Sequence, residues 1–320
     1  MKRFLAFALA LLLLGGCTPR DAGQGVQNQS TTIAVLLKSM GNPHWQEMRS
    51  GMQDAAAEYG AELILLYPEN ETDTNQQTMI FRDILEQKPD ALLWAPCNSL
   101  LGPQMELLAE QAGVPLFTVD TRADNTDAPF IGVDSTLVGT MAAEYLGETT
   151  GYSGQFAVIA GPQSQSCHFE RAGGFLSTMR QYPNIDIAAI RYTDSNFDSG
   201  MEAARDILEV YPDLDGIFCT SAVMALGAVE QVKATFLQNS VQIVTVDTQP
   251  DALAAVSNGL ISGLITQDGY DIGYKAIETV MDSLAGKDVG QNIYLPIELL
   301  TRQNVDDFTE QYLQRRDMHD

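Results

Sequence analysis

From Ile33 onward the chain alternates short apolar runs with amphipathic segments, and the apolar runs carry no polar alternation. A strand solvated on one face alternates, whereas one apolar at every position is buried on both faces, as in a parallel sheet covered by helices. The pattern predicts strands at Ile33–Leu37, Leu63–Tyr67, Ala91–Ala95, Leu116–Asp120, Phe156–Ala160, Ala188–Tyr192, Gly216–Thr220, Ile243–Asp247 and Gly263–Thr266, with helices between them. This β-α order requires right-handed crossovers and gives doubly wound domains. Nine such repeats exceed one comfortable sheet. The stretch "APFIGVDS", Ala128–Ser135, reads as a crossover into a second domain, and "YLPIELLT", Tyr294–Thr301, as a later extended segment before a final helix. The fold class is therefore α/β, with two doubly wound Rossmann-like domains joined by a multi-strand hinge. A cleft then lies between the carboxyl ends of both sheets, where ligands bind in open α/β folds.

Charge narrows the partners. Lys plus Arg number 18 against 42 Asp plus Glu, a formal charge of -24, which repels phosphate backbones and argues against nucleic acid. The first residues are of another kind. Lys2-Arg3 precedes an unbroken apolar run, Phe4 to Leu14, too short to span a bilayer, and Leu14-Gly15-Gly16-Cys17 resembles the lipobox of bacterial lipoproteins. Residues 1–17 thus read as a signal peptide ending at a lipidated Cys17, and residues 18–32 as a polar, flexible tether. Two acyl chains suffice for lasting attachment, so the expected location is extracytoplasmic and lipid-anchored, on the outer face or periplasmic side of the cell membrane. Of the remaining cysteines, Cys219 lies in an apolar run and reads as a small buried hydrophobe, while a Cys97–Cys167 bridge would join two distant loops.

Chemistry concentrates at strand exits. Asn42, His44 and Trp45 follow the first strand around Pro43; Asn42 is a natural N-cap, but capping alone does not explain two rings there. Asp120 ends "PLFTVD" and Asp247 ends "QIVTVD", one in each half. Two carboxylates facing one cleft suit a polyol, each accepting hydroxyl hydrogen bonds, or serve as the acid and base of a glycosidase. Sugar binding ranks higher because no third group or positioned nucleophile accompanies them. Arg171, in "SCHFERAGGF", enters a helix beside Gly and Phe and is a cleft candidate; the neighbouring Cys167-His168 pair does not face itself on a helix, so thiol-protease chemistry is set aside. No Walker A loop, HExxH or GxSxG occurs, and three histidines leave little for metals, so no cofactor, metal or catalysis is expected.

The segments "IAVLLKSMGNPHW", "PLFTVDTR", "CHFERAGGF", "SNFDSG", "SAVMALGAVEQV", "VTVDTQPD" and "ITQDGYDIG" follow the order seen in type I periplasmic sugar-binding proteins of the ribose-binding kind, which the chain resembles over nearly all of Ile33 to Thr301. The resemblance implies sugar contacts by Asn42, His44, Trp45, Asp120, Arg171, Phe197, Asp247 and Gln267, with Trp45 and Phe197 sandwiching the sugar ring. It implies lobes 33–134 plus 268–297 and 135–267 plus 298–320, and a solute-binding lipoprotein that delivers a monosaccharide or polyol to an ABC permease and its ATPase. The alternative is a sensory subunit presenting a sugar to a membrane receptor or sensor kinase. Two positions depart from the pattern: Thr121 stands where ribose binders have Arg, with Arg122 one residue later, and Ser221 stands where Asn is usual. Both substitutions point to extra room and a ligand larger than a pentose.

Overall fold

The computed structural model describes residues 30–237 and 240–317; the signal segment, Cys17 and most of the tether lie outside the described residues. In chain order, β1 (Thr32–Leu36), α1 (Pro43–Tyr59), β2 (Glu62–Leu66), α2 (Thr74–Gln87), β3 (Ala91–Trp94), α3 (Gly102–Ala112), β4 (Leu116–Val119) and β5 (Phe130–Gly132) come first. Then follow α4 (Ser135–Thr149), β6 (Ser153–Ala160), α5 (Ser166–Met179), β7 (Asn184–Tyr192), α6 (Phe197–Val210), β8 (Gly216–Cys219), α7 (Ala222–Ala234), β9 (Gln242–Val246), α8 (Pro250–Ser257) and β10 (Gly263–Ile265). The chain ends with α9 (Gly269–Leu284), β11 (Asn292–Tyr294), β12 (Leu299–Leu300) and α10 (Val305–Asp317).

Two six-stranded sheets result, ordered β11-β5-β4-β3-β1-β2 and β12-β10-β9-β8-β6-β7. Every pairing is parallel except β10 with β12. The central strands β3, β4 and β8 are buried at every position, which is why they show no alternation. β2 and β7 lie at sheet edges and are partly exposed, and β7 alternates accordingly. In both sheets the strand order reverses beside the first strand, as β2-β1-β3 and β7-β6-β8, so each has a switch point at its carboxyl edge. The chain passes between the sheets three times, between β5 and α4, between β10 and α9, and between β11 and β12.

Local chemistry adjusts one expectation and sets one helix start. The middle of "APFIGVDS" is not a bare crossover: Phe130–Gly132 is buried on both faces and adds β5 to the first sheet, so the chain leaves that sheet only after Gly132. Helix α6 starts at Phe197, because Asn196 and Ser199 form a reciprocal capping box that makes Phe197 the first helical residue.

Helices α4 and α5 cross at near backbone contact. A Cβ on Gly174 would stand 2.2 Å from Thr136 O, and one on Gly139 would stand 1.9 Å from Arg171 O, whereas a Cβ on Gly173 would meet nothing within 4 Å. The adjacent glycines of α5 should therefore respond oppositely to alanine. Gly173→Ala removes a flexible residue from a helix and should stabilise by about 0.5–1 kcal/mol. Gly174→Ala forces the helices apart and should cost about 1–3 kcal/mol, a fall of several degrees in thermal unfolding. Equal melting shifts for the two variants would contradict this packing.

Candidate functional site

The switch points of the two sheets face each other across one small buried cavity. Its wall is formed by Lys38, Asn42, His44 and Trp45 after β1, Glu71 after β2 and Asp120 after β4. From the other sheet come Cys167, His168 and Arg171 on α5, Ser195 after β7, Ser221 after β8 and Asp247 after β9. All follow the carboxyl ends of strands, because that edge is where a parallel sheet ends its buried backbone and opens into loops.

The two carboxylates found at strand exits are held by the same backbone device. Asp120 has φ +63° and Asp247 φ +89°, left-handed values that Asp tolerates better than most residues. At Asp120 the Thr121 N–H returns to Val119 O at 2.6 Å, a γ-turn that redirects the chain at the strand end. Such conformations cost on the order of 1–3 kcal/mol and persist where the surroundings over-determine them.

Asp120 is the best-bonded group of the site. Its Oδ1 lies 2.8 Å from His44 Nε2 and accepts from Gln267 Nε2 at 2.8 Å. Its Oδ2 accepts from Thr121 Oγ1 at 2.8 Å and lies 3.9 Å from Lys38 Nζ. Burial alone would lower the His44 pKa, but the hydrogen bond and charge of Asp120 outweigh it and raise it to about 9. For Asp120 burial acts upward, yet the His44 bond and charge, with Lys38 and Arg171, hold it well below the usual carboxylate range. The pair is therefore an ion pair at neutral pH. Asp247 differs: burial pushes it up against the pull of His44 and Arg171, and its Oδ2 accepts the Ala222 N–H at 3.1 Å.

The remaining sequence candidates divide into those on the wall and those elsewhere. Asn42 caps α1 by accepting the His44 N–H and also lines the cavity. The Trp45 indole is buried, donates to Glu71 Oε1 at 2.7 Å and has Lys38 Nζ 5.4 Å from its ring centre. Arg171 donates from Nη1 to Thr220 O at 2.8 Å and from Nη2 to Gln267 Oε1. Thr121 and Gln267 stand behind Asp120 and position it. Phe197 does not join the cavity: it is 39% exposed and lines a surface groove with Leu226, Val229 and Ala254. The capping box places it at the start of α6, so the Trp45–Phe197 sandwich is not assembled. Arg122 pairs with Glu170 at 3.3 Å, a partly exposed contact away from the wall.

The expected extra room is also absent. The cavity measures about 20 Å³, space for about one water. Lys38 fills the gap, reaching Gln165 Oε1 at 2.6 Å and Cys167 Sγ at 3.8 Å. It places a cation 3.9 Å from Asp120 Oδ2, beside Thr121, where no Arg follows the carboxylate. Burial opposes its charge, but Cys167, Asp120 and Glu71 raise its pKa; burial pushes the Cys167 thiol and the Glu71 carboxyl up, so Asp120, held well below the usual carboxylate range, is the firm anion beside it. Lys38 had a legible signal, a charge directly ending an apolar strand run. Glu71, in the polar loop "PENETD", had none. Cys97, Cys167 and Cys219 are all free and buried. His168 bonds Thr220 Oγ1 at 2.8 Å rather than Cys167, and burial, with Lys38 and Arg171, keeps its imidazole neutral.

The His44 shift fixes a pH dependence. A pKa raised from 6.5 to about 9 gives stability that is complete below pH 6.5 and is lost as pH rises through about 9. Denaturant unfolding should therefore show wild type losing stability between pH 6.5 and 9.5 relative to His44→Gln. Parallel pH curves for the two proteins would remove the charged imidazole from the account.

Comparison with known proteins agrees with this architecture. The ribose import binding protein of Bacillus subtilis is 26% identical over 304 residues, covering 92% of this chain and 97% of that protein. A solved ABC transporter periplasmic solute-binding protein of Actinobacillus succinogenes with bound D-allose superposes with a TM-score of 0.81 at 26% identity, covering 87% of this chain and 100% of that one. A carbohydrate transporter solute-binding protein of Agrobacterium radiobacter in complex with D-arabinose gives 0.84 at 26% identity, covering 89% and 99%. Residues 33–288 match the periplasmic binding protein domain family, and with two such lobes around one polar cavity the chain belongs to that family, on its sugar-binding, type I side.

Proposed function

We propose that this protein captures a monosaccharide or related polyol between its lobes and delivers it to an ABC-type permease and its ATPase, as the extracytoplasmic solute-binding component. One observation carries the reading: Asn42, His44 and Asp120 from one sheet and Arg171, Ser221 and Asp247 from the other converge on a single buried cavity. Groups that meet only when the lobes are together recognise a ligand and closure at once. The relatives named above, with D-allose and D-arabinose bound in two of them, support a sugar as the class of ligand. The matched family is one of substrate-binding proteins rather than enzymes. The lobes are 33–134 plus 268–297 and 135–267 plus 298–320, hinged at the three crossings.

In this role the residues act differently from one another. Asp247 is the acceptor for sugar hydroxyls, since Asp120 already has its oxygens occupied. Arg171, Asn42, Ser221 and Lys38 donate, while Trp45 offers the apolar surface. Thr121 and Gln267 hold Asp120, and Phe197 has no place in the contact set.

A thermal-shift screen of monosaccharides and polyols should identify a binder. Calorimetry with that binder should show Asp247→Ala at least about tenfold weaker with the fold intact, since an unpaired buried hydroxyl costs about 1.5–3 kcal/mol against a charged acceptor. Unchanged affinity would remove Asp247 from the site. Cys17 is the proposed anchor: Cys17→Ser should accumulate uncleaved precursor without lipid labelling, and normal processing of that variant would refute it.

A further inference from the structure

Two buried polar atoms of the cavity have nothing to bond, and both sit at one turn. Arg171 Nε and Ser221 Oγ lack hydrogen-bond partners, and each residue is 3% exposed. The Nη1–Thr220 O bond fixes the guanidinium against the residue immediately before Ser221. Among the described residues Arg171 forms no ion pair, so a buried cation stands without a counter-anion within bonding reach.

Helix ends add to this. His44 lies in the first turn of α1, Cys167 in the first turn of α5, and Ser221 is the N-cap of α7 with its hydroxyl unused for capping. Three helix N-termini therefore lie at one cavity, each with a fractional positive charge, although the His44, Ser166 and Ala222 N–H groups are already bonded to Asn42, Ser99 and Asp247. The wall sets Lys38, His44 and Arg171 against Glu71, Asp120 and Asp247, and burial pushes the Glu71 and Asp247 carboxyls toward their protonated forms, so the anions do not fully offset the cations. The helix ends leave the local field positive on a protein whose total charge is -24. Stacking for a neutral ring is also reduced, since Lys38 sits over Trp45 and Phe197 is turned outward.

We propose that the preferred ligand is an acidic monosaccharide, an aldonate or uronate, whose carboxylate is received by Arg171 Nε and Ser221 Oγ at the N-terminus of α7. This rests on the sugar-binding reading given above. Asp247 stands at the same turn, facing His44, Arg171, Asp120 and the Ala222 N–H, and burial already pushes it toward its protonated form. Two carboxyl groups brought together there share a proton, so the acid binds with proton uptake and a neutral sugar does not.

Calorimetry on the full chain with matched pairs tests this: D-galactose and D-galacturonate, D-glucose and D-gluconate, D-ribose and D-ribonate. At least one acid should bind about tenfold or more tightly than its neutral partner, with affinity rising from pH 8 to pH 6. Ser221→Ala removes only an unbonded hydroxyl and should weaken the acid while sparing the fold; unchanged acid affinity in that variant would overturn the assignment. Binding of the neutral members in preference to the acids would overturn the acidic-ligand proposal and leave the sugar-binding reading standing. Binding of neither series, to protein that unfolds cooperatively, would overturn both.

Discussion

One buried carboxylate organises the cleft. Asp120 accepts from His44, Gln267 and Thr121 and faces Lys38, and each of those groups reaches onward. Gln267 accepts from Arg171 on the second sheet's side, and Lys38 donates to Gln165 there. Gln165 in turn donates to Glu71 O on the first. A buried charge is tolerable only when paired and hydrogen-bonded, so every member of this chain depends on the others being in place. The network crosses the gap between the sheets, and the lobes are therefore coupled through it. With about 20 Å³ of free space, a sugar enters only when the lobes part, and its hydroxyls then replace bonds that the protein otherwise makes to itself.

How much of this was legible in the sequence follows from what each feature depends on. The sheets were legible because a strand buried on both faces writes an unbroken apolar run, and Ile33–Leu37 or Ile243–Asp247 do so without ambiguity. β5 is not legible as a strand because three residues are too few to show a period, and its outer partner β11 comes from a distant part of the chain. Asp120, Arg171 and Asp247 were legible because a charge at the end of an apolar run has few reasons to be there. Lys38 obeys the same rule, although the two rings that follow it are the more conspicuous feature of its loop. Glu71 carries no such mark: only the packing of its loop against Trp45 brings it to the wall.

Phe197 shows where a resemblance outruns local chemistry. Its segment "SNFD" fits the family pattern, but Asn196 and Ser199 cap the helix around it and fix its backbone, leaving the ring on the surface. The departures at Thr121 and Ser221 were legible as departures, but their consequence was not. A missing Arg does not leave a hole when a Lys from another strand exit of the same sheet supplies a charge beside Asp120, and that placement is visible only in three dimensions.

The central claim is that a sugar holds two lobes together around this network. Small-angle X-ray scattering of the protein with and without a binding sugar tests it most directly. The account predicts a larger radius of gyration without ligand and, with saturating sugar, a profile matching the closed arrangement described above. Identical profiles in the two conditions would contradict it.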